Sequence, residues 1–228
     1  MNIELSIIIP VYNEPDIINE TISHLNGLSF SRKPEIIIVD GHSSQNTLQV
    51  VKGRHVKKIP SAKGRGIQMN TGAKAASGNI FLFLHADTYL DENAPEAIIK
   101  ILQDKNTVAG AFDLAIRSPK AIFRLTEKYV YIRSRLTHIP YGDQGIFIKR
   151  EFFEMLGGYP DMPLMEDVEL MRRVKKAGGK IAIIDTKIST SPRRWEKEGF
   201  AFCTLRNLTL ISLYLLGVPA EKLYKYYP

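Results

Sequence analysis

The chain has 228 residues, a length that suits one large domain or one domain with an appendage. With 44% hydrophobic and 24% charged residues, it has the composition of a soluble globular protein whose core needs no disulfide or structural metal. Cys203 is the single cysteine, which excludes an internal disulfide and a cysteine zinc cluster and predicts a reducing, cytoplasmic setting. The formal net charge of +7 suits an anionic partner, or a solvated basic surface with no specific partner.

Residues 1–90 alternate between strand-like and helix-like segments. Apolar runs predict buried strands at LSIIIPVYN, EIIIVD and NIFLFL, and HVKKIP predicts a shorter strand. Helices are predicted at EPDIINETISHLNGL, NTLQVVK and KGRGIQMNTGAKAAS. The N-terminus enters the first strand without the basic head of a signal peptide. Because strands and helices alternate with short links, we expect a parallel sheet with helices on both faces.

Acidic residues follow three of these predicted strands. Glu14, Asp40 and Asp87 each lie just beyond the carboxyl end of a strand. In open α/β sheets, ligands bind beyond these carboxyl ends. A single acid there is usually a turn or helix cap, but three acids on one rim of the sheet favour a binding site.

The second half of the chain is less regular. AGAFDLAI and GKIAIIDTKIST predict strands, and PKAIFRLTEKYVYIRSRL predicts an amphipathic helix with a basic face. IPYGDQGIFIKREFFEMLGGYP predicts a turn, a strand and a short helix, and MEDVELMRRVKKAG predicts a further helix. The last apolar segment, FAFCTLRNLTLISLYLLGV, carries Arg206 and Asn207 in its middle, which opposes a membrane-spanning role. We expect a surface helix that packs on the domain, in a dimer or in the membrane interface.

Basic and acidic groups on the same rim indicate a diphosphate site. Lys63 and Arg65 lie between small residues ahead of a helix, in what is either a solvated basic turn or an anion site. Asp87 on the same rim predicts Mg²⁺ or Mn²⁺, because these cations take one or two carboxylates and complete their shell with phosphate oxygens and water. His85 either contributes an imidazole or shapes the pocket.

Glu166 and Asp167 form an acidic pair at a helix start. Such a pair either compensates the helix dipole and caps the helix, or supplies a general base that takes a proton from a hydroxyl.

Two further groups could contact a sugar or a phosphate. Asp143 and Gln144 follow a flexible turn and can bind sugar hydroxyls. Arg193 and Arg194 stand beside Trp195, the only tryptophan, a combination that suits a phosphate with an apolar neighbour or a membrane-interface anchor.

Taken in order, four motifs resemble family 2 glycosyltransferases with the GT-A fold, a mostly parallel α/β sheet flanked by helices. They are SIIIPVYNE, IIIVDGHSS, GRGIQMNTGAKAASGNIFLFLHADT and MEDVELMRRVKKAGG. The likeness is greatest to a compact, uncharacterised bacterial subgroup, and it weakens between roughly residues 117 and 140. It implies a GT-A domain over 1–199, with a nucleotide-binding half (1–90) and an acceptor half (91–199), followed by a helical tail (200–228).

The resemblance also implies roles for individual residues. The positions that hold the nucleotide base and ribose in that family correspond here to Pro10, Tyr12, Glu14 and Asp40. The acceptor-activating base of inverting members corresponds to the Glu166–Asp167 pair, of which we favour Asp167, with Glu166 supporting or exchanging the role. The late basic motif that contacts the diphosphate in some members is similar to Arg193, Arg194 and Trp195.

The metal-binding Asp-x-Asp motif of the family corresponds to His85, Ala86 and Asp87. The first acid is replaced by His85, while Asp87 matches the last acid, which is the one expected to reach the metal. The resemblance therefore still implies Mn²⁺ or Mg²⁺ at Asp87.

The implied reaction transfers a sugar from a nucleoside-diphosphate sugar to a hydroxyl of a lipid, glycan or small molecule, with inversion. Its expected setting is the cytoplasm or the inner face of the membrane. A sugar-phosphate nucleotidyltransferase is disfavoured, because it would carry a glycine-rich basic loop where this chain has PVYNEPD. A non-catalytic domain that binds a nucleotide sugar or a membrane stays open because of His85. No nucleic acid is expected, since no recognition helix or aromatic RNA platform is visible.

Overall fold

The computed structural model describes residues 5–227, so residues 1–4 of the predicted domain and residue 228 of the predicted tail lie outside it. The strands are β1 (Leu5–Val11), β2 (Glu35–Asp40), β3 (Val56–Pro60), β4 (Ile80–Phe83), β5 (Thr88–Leu90), β6 (Thr107–Ile116), β7 (Ile146–Lys149) and β8 (Lys180–Thr190). Each strand predicted from the sequence is present. The short β5 was not predicted.

Helices surround this sheet. They are α1 (Ile18–Gly27), α2 (Asn46–Val50), α3 (Arg65–Ala75), α4 (Ala94–Leu102), α5 (Ala121–Thr137), α6 (Arg150–Met155), α7 (Glu166–Lys176), α8 (Arg193–Glu198), α9 (Phe200–Leu215) and α10 (Ala220–Leu223). Single 3-10 turns occur at Gly142–Gln144 and Tyr224–Tyr226. The predicted helices are found, and α4, α8 and α10 are additional.

The strands form one mixed sheet in the order β3-β2-β1-β4-β7-β6-β8-β5. Strands β1 to β4 are parallel, as the alternating pattern predicted. Strand β7 lies between β4 and β6 and is antiparallel to both. Strand β8 is parallel to β6, and β5 is antiparallel to β8. The α/β fold class is confirmed: β1 to β4, β6 and β8 run in one direction, and β5 and β7 run in the other.

Both faces of the sheet are buried, which explains why its strands have continuous apolar sequences. In β1, Ile7 and Ile9 belong to one core cluster and Ile8 belongs to a second cluster. The first cluster includes Leu25 of α1, and the second includes Met69 of α3. Alternate side chains of one strand therefore pack against helices on opposite faces.

Helix α3 lies very close to the sheet. A Cβ at Gly72 would stand 2.5 Å from Cγ2 of Ile8, so only glycine fits this position without displacing the core. One turn earlier, the amide of Gln68 donates to the carbonyl oxygens of Val11 at 2.7 Å and Val39 at 2.8 Å. These bonds fix the start of α3 at the carboxyl ends of β1 and β2, which places Arg65 on the rim.

Helix α9, the predicted surface helix, packs on the domain through one side. Cys203, Leu210 and Ile211 are buried, whereas Phe202 and Leu205 on the other side are exposed. No helix within residues 5–227 has the length and apolar character needed to cross a membrane.

Candidate functional site: a cleft at the carboxyl ends of the strands

A cleft of about 420 Å³ lies at the rim predicted from the strand ends. The predicted site residues that line it are Pro10, Tyr12, Glu14, Arg65, His85, Ala86, Asp87, Asp143, Glu166, Asp167, Arg193, Arg194 and Trp195. They come from both halves of the chain, which therefore meet at this cavity.

Three predicted site residues do not line the cleft. Asp40 is fully buried; one carboxylate oxygen accepts the backbone N–H of His42 at 2.9 Å, and the other has no hydrogen-bond partner among the described residues. The ammonium group of Lys63 lies 4.9 Å from the ring centre of Tyr12. Gln144 is buried, accepts a hydrogen bond from Arg133 at 2.5 Å and donates to the carbonyl of Phe112, so it supports the turn beside the cleft.

Arg193, at the start of α8, joins two of the predicted acids. Its two terminal nitrogens donate to the carboxylate oxygens of Glu14 at 2.6 Å each, and its Nε lies 3.0 Å from Oδ2 of Asp87. The hydrogen bonds to Glu14 raise the pKa of Arg193. Bidentate pairing of this kind fixes geometry as well as charge, so Glu14, Asp87 and Arg193 form one ionic cluster on the rim.

The residues at the end of β4 suit a hard divalent cation. Asp87 directs a largely buried carboxylate toward the cleft. Burial and the nearby charge of Arg65 lower the pKa of His85 to about 4, so its imidazole is neutral and able to ligate a metal. No group of three or more His, Cys, Asp or Glu side chains within residues 5–227 is arranged to hold a metal alone. A cation that also takes phosphate oxygens and water needs only one or two protein ligands.

The guanidinium groups of Arg65 and Arg194 both interact with the hydroxyl of Tyr227, a residue that the sequence analysis did not assign to the site. Nη1 of Arg194 donates to Oη of Tyr227, and the Arg194 guanidinium lies 4.3 Å from the centre of the same ring. Burial lowers the pKa of Arg65, but the charge of Glu166 and the interaction with Tyr227 outweigh it, so the pKa of Arg65 is raised. Guanidinium groups only donate, so the phenol oxygen accepts and its own hydrogen is free for another acceptor.

The acidic pair begins α7 next to the turn that precedes β7. Met165 has a left-handed φ of 65°, and this sharp bend directs Glu166 and Asp167 into the cleft. The carboxylate of Asp167 accepts the backbone N–H of Gly142 at 2.5 Å and that of Val168 at 2.8 Å. These two bonds hold the Asp167 carboxylate in one orientation.

Glu166 is almost completely buried, with 4% of its surface exposed. Burial and the negative charge of Asp167 raise its pKa to about 7, although Arg65 acts in the opposite direction. Nη1 of Arg65 is 3.8 Å from Oε1 of Glu166, and that oxygen has no hydrogen-bond partner among the described residues. A carboxyl group with this pKa exchanges its proton near neutrality.

Other residues of the cleft were missed by the sequence reasoning. Gly142 was quoted only as part of a turn, yet a Cβ there would stand 3.3 Å from Asp167 Oδ2 and 3.4 Å from His85 Nε2. Asn207 and Tyr227 line the cleft from α9 and the end of the described chain. Their positions depend on how α9 folds back, and no local pattern signals this.

Two solved structures define the class of fold. A mannosyltransferase, PcManGT from Pyrobaculum calidifontis in complex with GDP-Man and Mn²⁺, matches 83% of this chain and 57% of its own, with a TM-score of 0.65 and 20% identity. S. aureus TarS (residues 1–349) in complex with UDP matches 82% of this chain and 60% of its own, with a TM-score of 0.64 and 18% identity. The fold is therefore that of the GT-A glycosyltransferases.

The family follows from the sequence. Residues 6–157 match the profile of glycosyl transferase family 2, and the chain belongs to this family. The probable glycosyltransferase YdaM of Bacillus subtilis is 26% identical over 86% of this chain and 51% of its own length. The poly-beta-1,6-N-acetyl-D-glucosamine synthase of Staphylococcus epidermidis is 33% identical over 47% of this chain and 27% of its own. The chain thus spans about half, or less, of the length of these relatives.

We expect the wild-type protein to lose stability as the pH rises from 4.5 to 7, and we expect the variant Glu166→Gln to lack this loss. The native state keeps a proton on Glu166 up to about pH 7, whereas the unfolded chain releases it near the ordinary value of 4.5. The free energy of unfolding of the wild type therefore falls as the pH rises through this window. Between the two ends of this pH window, the free energy of unfolding of the variant should rise by up to roughly 3 kcal/mol relative to that of the wild type.

Denaturant unfolding of both proteins at each pH measures this difference. The contributions of the other titrating groups cancel, because they are the same in both proteins. Glu151→Gln, which changes an exposed carboxylate of α6, serves as the control for the loss of a surface charge and should not stabilise the protein by a comparable amount. A constant difference between Glu166→Gln and the wild type would contradict the raised pKa.

Proposed function

We propose that this protein transfers a sugar from a nucleoside-diphosphate sugar to an acceptor hydroxyl, assisted by a divalent cation and with inversion of the anomeric centre. One observation carries the proposal: the carboxylate of Asp87, the guanidinium groups of Arg65 and Arg194, and the Glu166–Asp167 pair line the same cleft. PcManGT in complex with GDP-Man and Mn²⁺ and TarS in complex with UDP share this fold and support a donor of that class.

We assign residues 1–90 to the nucleotide-binding half, 91–199 to the acceptor half and 200–228 to a helical tail. The exposure of Tyr12 supports a base-binding role, because this residue is 45% exposed and its ring centre lies 4.9 Å from that of His42, in an edge-on arrangement. Asp40 is buried behind this side of the cleft, so it would act on the donor site through the loop that it holds at the N–H of His42. Pro10 and Glu14 complete this side of the cleft, and Lys63 is available to the phosphates.

The cation would be held by Asp87, with the neutral imidazole of His85 beside it. When bound, it would neutralise the charge that develops on the departing diphosphate. Arg65 and Arg194 would supply positive charge to the same oxygens. Ala86, between His85 and Asp87, packs into the core and so anchors this segment at the edge of the cleft. Arg193 lies 3.0 Å from Asp87, so a cation bound at this carboxylate would share it with the guanidinium or displace that group.

The transfer step is a single displacement. The acceptor oxygen forms a bond to the anomeric carbon while the bond from that carbon to the diphosphate oxygen breaks, and the nucleoside diphosphate leaves with the electron pair. Asp167 takes the proton of the acceptor hydroxyl, and its orientation by Gly142 and Val168 supports this assignment. Glu166 supports Asp167 or exchanges the role with it. Asp143, which also lines the cleft, is available to the acceptor.

The position of helix α9 supports the hypothesis that the acceptor is presented at a membrane. One side of the helix lines the cleft through Cys203 and Asn207, while Phe202 and Leu205 on its outer side are exposed. Peripheral contact through residues 200–218 at the inner face of the membrane would bring a lipid-linked hydroxyl to the cleft. A homodimer through the same residues is the alternative for this surface.

A binding domain without catalysis is the second candidate function. His85 replaces the first acid of the metal motif, and Arg193 already occupies one side of Asp87. A protein that binds a nucleotide sugar tightly but never transfers it would match this candidate.

Asp87→Asn is expected to abolish the cation-dependent part of donor binding. Wild-type protein should show a higher thermal midpoint with a nucleoside diphosphate and Mn²⁺ than with either alone, because a ligand of the native state stabilises it. The variant should lose that additional shift, since an amide binds a hard cation poorly. Differential scanning fluorimetry with UDP, GDP and other nucleoside diphosphates measures the thermal midpoints of the wild type and of the variant, with and without Mn²⁺.

Asp161→Asn changes an exposed acid in the same way and should leave the shift intact. An unchanged Mn²⁺-dependent shift in Asp87→Asn would show that the cation binds elsewhere.

Asp167→Asn is expected to lower kcat by a factor of about 10² to 10⁴, the usual contribution of a general base. Donor binding should remain, because the variant keeps an oxygen toward Gly142. Donor hydrolysis or transfer, measured beside the donor-induced thermal shift, separates the two effects. If Glu166→Gln abolishes turnover while Asp167→Asn retains it, the base is Glu166.

Tyr227→Phe is expected to weaken donor binding by about three- to tenfold, the effect of one lost hydrogen bond. The free phenol hydrogen between Arg65 and Arg194 would be donated to a diphosphate oxygen. Calorimetric titration with the nucleoside diphosphate checks this, with Tyr226→Phe as the control, since Tyr226 is 71% exposed. If both variants bind the nucleoside diphosphate with equal affinity, Tyr227 does not contact the donor.

A further inference from the structure

Helix α5 exposes an apolar stripe that the domain itself does not cover. The stripe consists of Ile122, Leu125, Tyr129, Ile132 and Leu136, which are between 40% and 78% exposed. Their spacing of three and four residues places them on one side of the helix over its whole length. Single exposed apolar residues are ordinary on protein surfaces, but five in one row indicate a contact surface.

The stripe is distinct from the face by which α5 packs on the domain. Phe123 and Val130 on that other face are buried with Leu114 of β6. Phe123 also contacts the rings of Trp195 and Phe200 edge-on, at 5.6 and 5.5 Å between centres. Helix α5 is thus already anchored through one apolar face, and the second apolar face has no role in the core.

The charges of α5 are mostly positive. The helix carries Arg124, Lys128, Arg133 and Arg135 against the single acid Glu127. Glu127 pairs with Arg124 at 2.9 Å, and Arg135 pairs with Asp113 and Asp185. Lys128 is exposed and lies beside the stripe on the helix surface. Because these pairs neutralise Arg124 and Arg135, the positive charge beside the apolar row is that of Lys128 and Arg133, which form no ion pair within residues 5–227.

We infer that the α5 stripe binds the surface of an anionic lipid bilayer. An interfacial helix buries its apolar side at the headgroup boundary and places basic residues against anionic lipids. Tyr129 suits this depth, because aromatic side chains with a polar end are enriched at the interface. A second copy of the chain fits less well, since two α5 stripes packed together would bring the positive charges beside the two stripes into contact.

This surface adjoins the cleft. Arg133 of α5 donates to Gln144 at 2.5 Å, and its guanidinium lies 3.3 Å from the ring centre of Tyr141, which lines the cleft. A membrane bound by α5 would lie near the wall that the proposed function gives to the acceptor. The inference deepens the membrane contact proposed for α9, and it rests on a different helix and can be tested apart from the donor site.

Co-sedimentation of the whole protein with vesicles tests the inference. Wild-type protein should bind vesicles made of equal parts phosphatidylglycerol and phosphatidylcholine, and should bind pure phosphatidylcholine much less. The double variant Leu125→Asn, Ile132→Asn should bind the anionic vesicles at least about tenfold more weakly, because two apolar side chains no longer enter the interface. Lys128→Glu should weaken binding and flatten its dependence on salt.

Met155→Asn provides the matched control, because Met155 is 61% exposed on α6, outside the α5 stripe. It should bind vesicles as the wild type does. Failure of the folded wild type to bind anionic vesicles, or unchanged binding by the double variant, would overturn the inference. So would a wild-type dimer that the double variant converts to a monomer in sedimentation equilibrium.

The donor-induced thermal shift of the double variant keeps this inference separate from the proposed function. A normal shift with lost vesicle binding supports the membrane surface and leaves the donor site intact. Vesicle binding without any donor shift in the wild type would contradict the proposed transferase and leave the membrane surface standing.

Discussion

Charge compensation inside a partly buried cleft is the constraint on which the site depends. Glu14 and Asp87 stand at the ends of parallel strands, and a carboxylate withdrawn from water without a partner would cost several kcal/mol. Arg193 satisfies both, and so ties α8 to the rim of the sheet. Arg65 stands 3.8 Å from Glu166, whose pKa is raised to about 7 by burial and by Asp167, so protonation rather than a close ion pair compensates this carboxyl group below neutrality. In the proposed function, a diphosphate with a cation would offer charges of both signs, so the donor would replace these internal partners without leaving a charge uncompensated.

The reversal of direction at β7 brings the two halves of the chain together. Because β7 is antiparallel to β4, the turn that precedes it lies beside the residues that follow β4. This places Gly142 next to His85 and Asp167. His85, which precedes the proposed metal ligand Asp87, and the proposed base thus meet across a backbone segment where a Cβ would stand 3.3 Å from Asp167 Oδ2 and 3.4 Å from His85 Nε2.

Much of the fold and many of the site residues could be predicted from the sequence. The apolar runs of β1, β2 and β4 and the spacing of α1 are local signals, and their parallel pairing follows from short links that leave few topologies. The rim position of Glu14 and Asp87 followed from the same reasoning. The direction of β7 did not, because the long connection from β6 through α5 and a 3-10 turn allows either direction. The inward position of Asp40 also depends on the tertiary packing of the loop that follows it.

The sequence by itself determined the α/β class, the family and the chemical types of the groups at the strand ends, because each is written in local patterns. Only the tertiary structure decided which partners those groups have. Tyr227 meets Arg194 across 33 residues, and Arg193 meets Glu14 across 179. It also decided that α5, apolar on two faces, buries Phe123 and exposes Leu125. Periodicity shows that a face is apolar, but burial depends on whether another element of the fold lies against it.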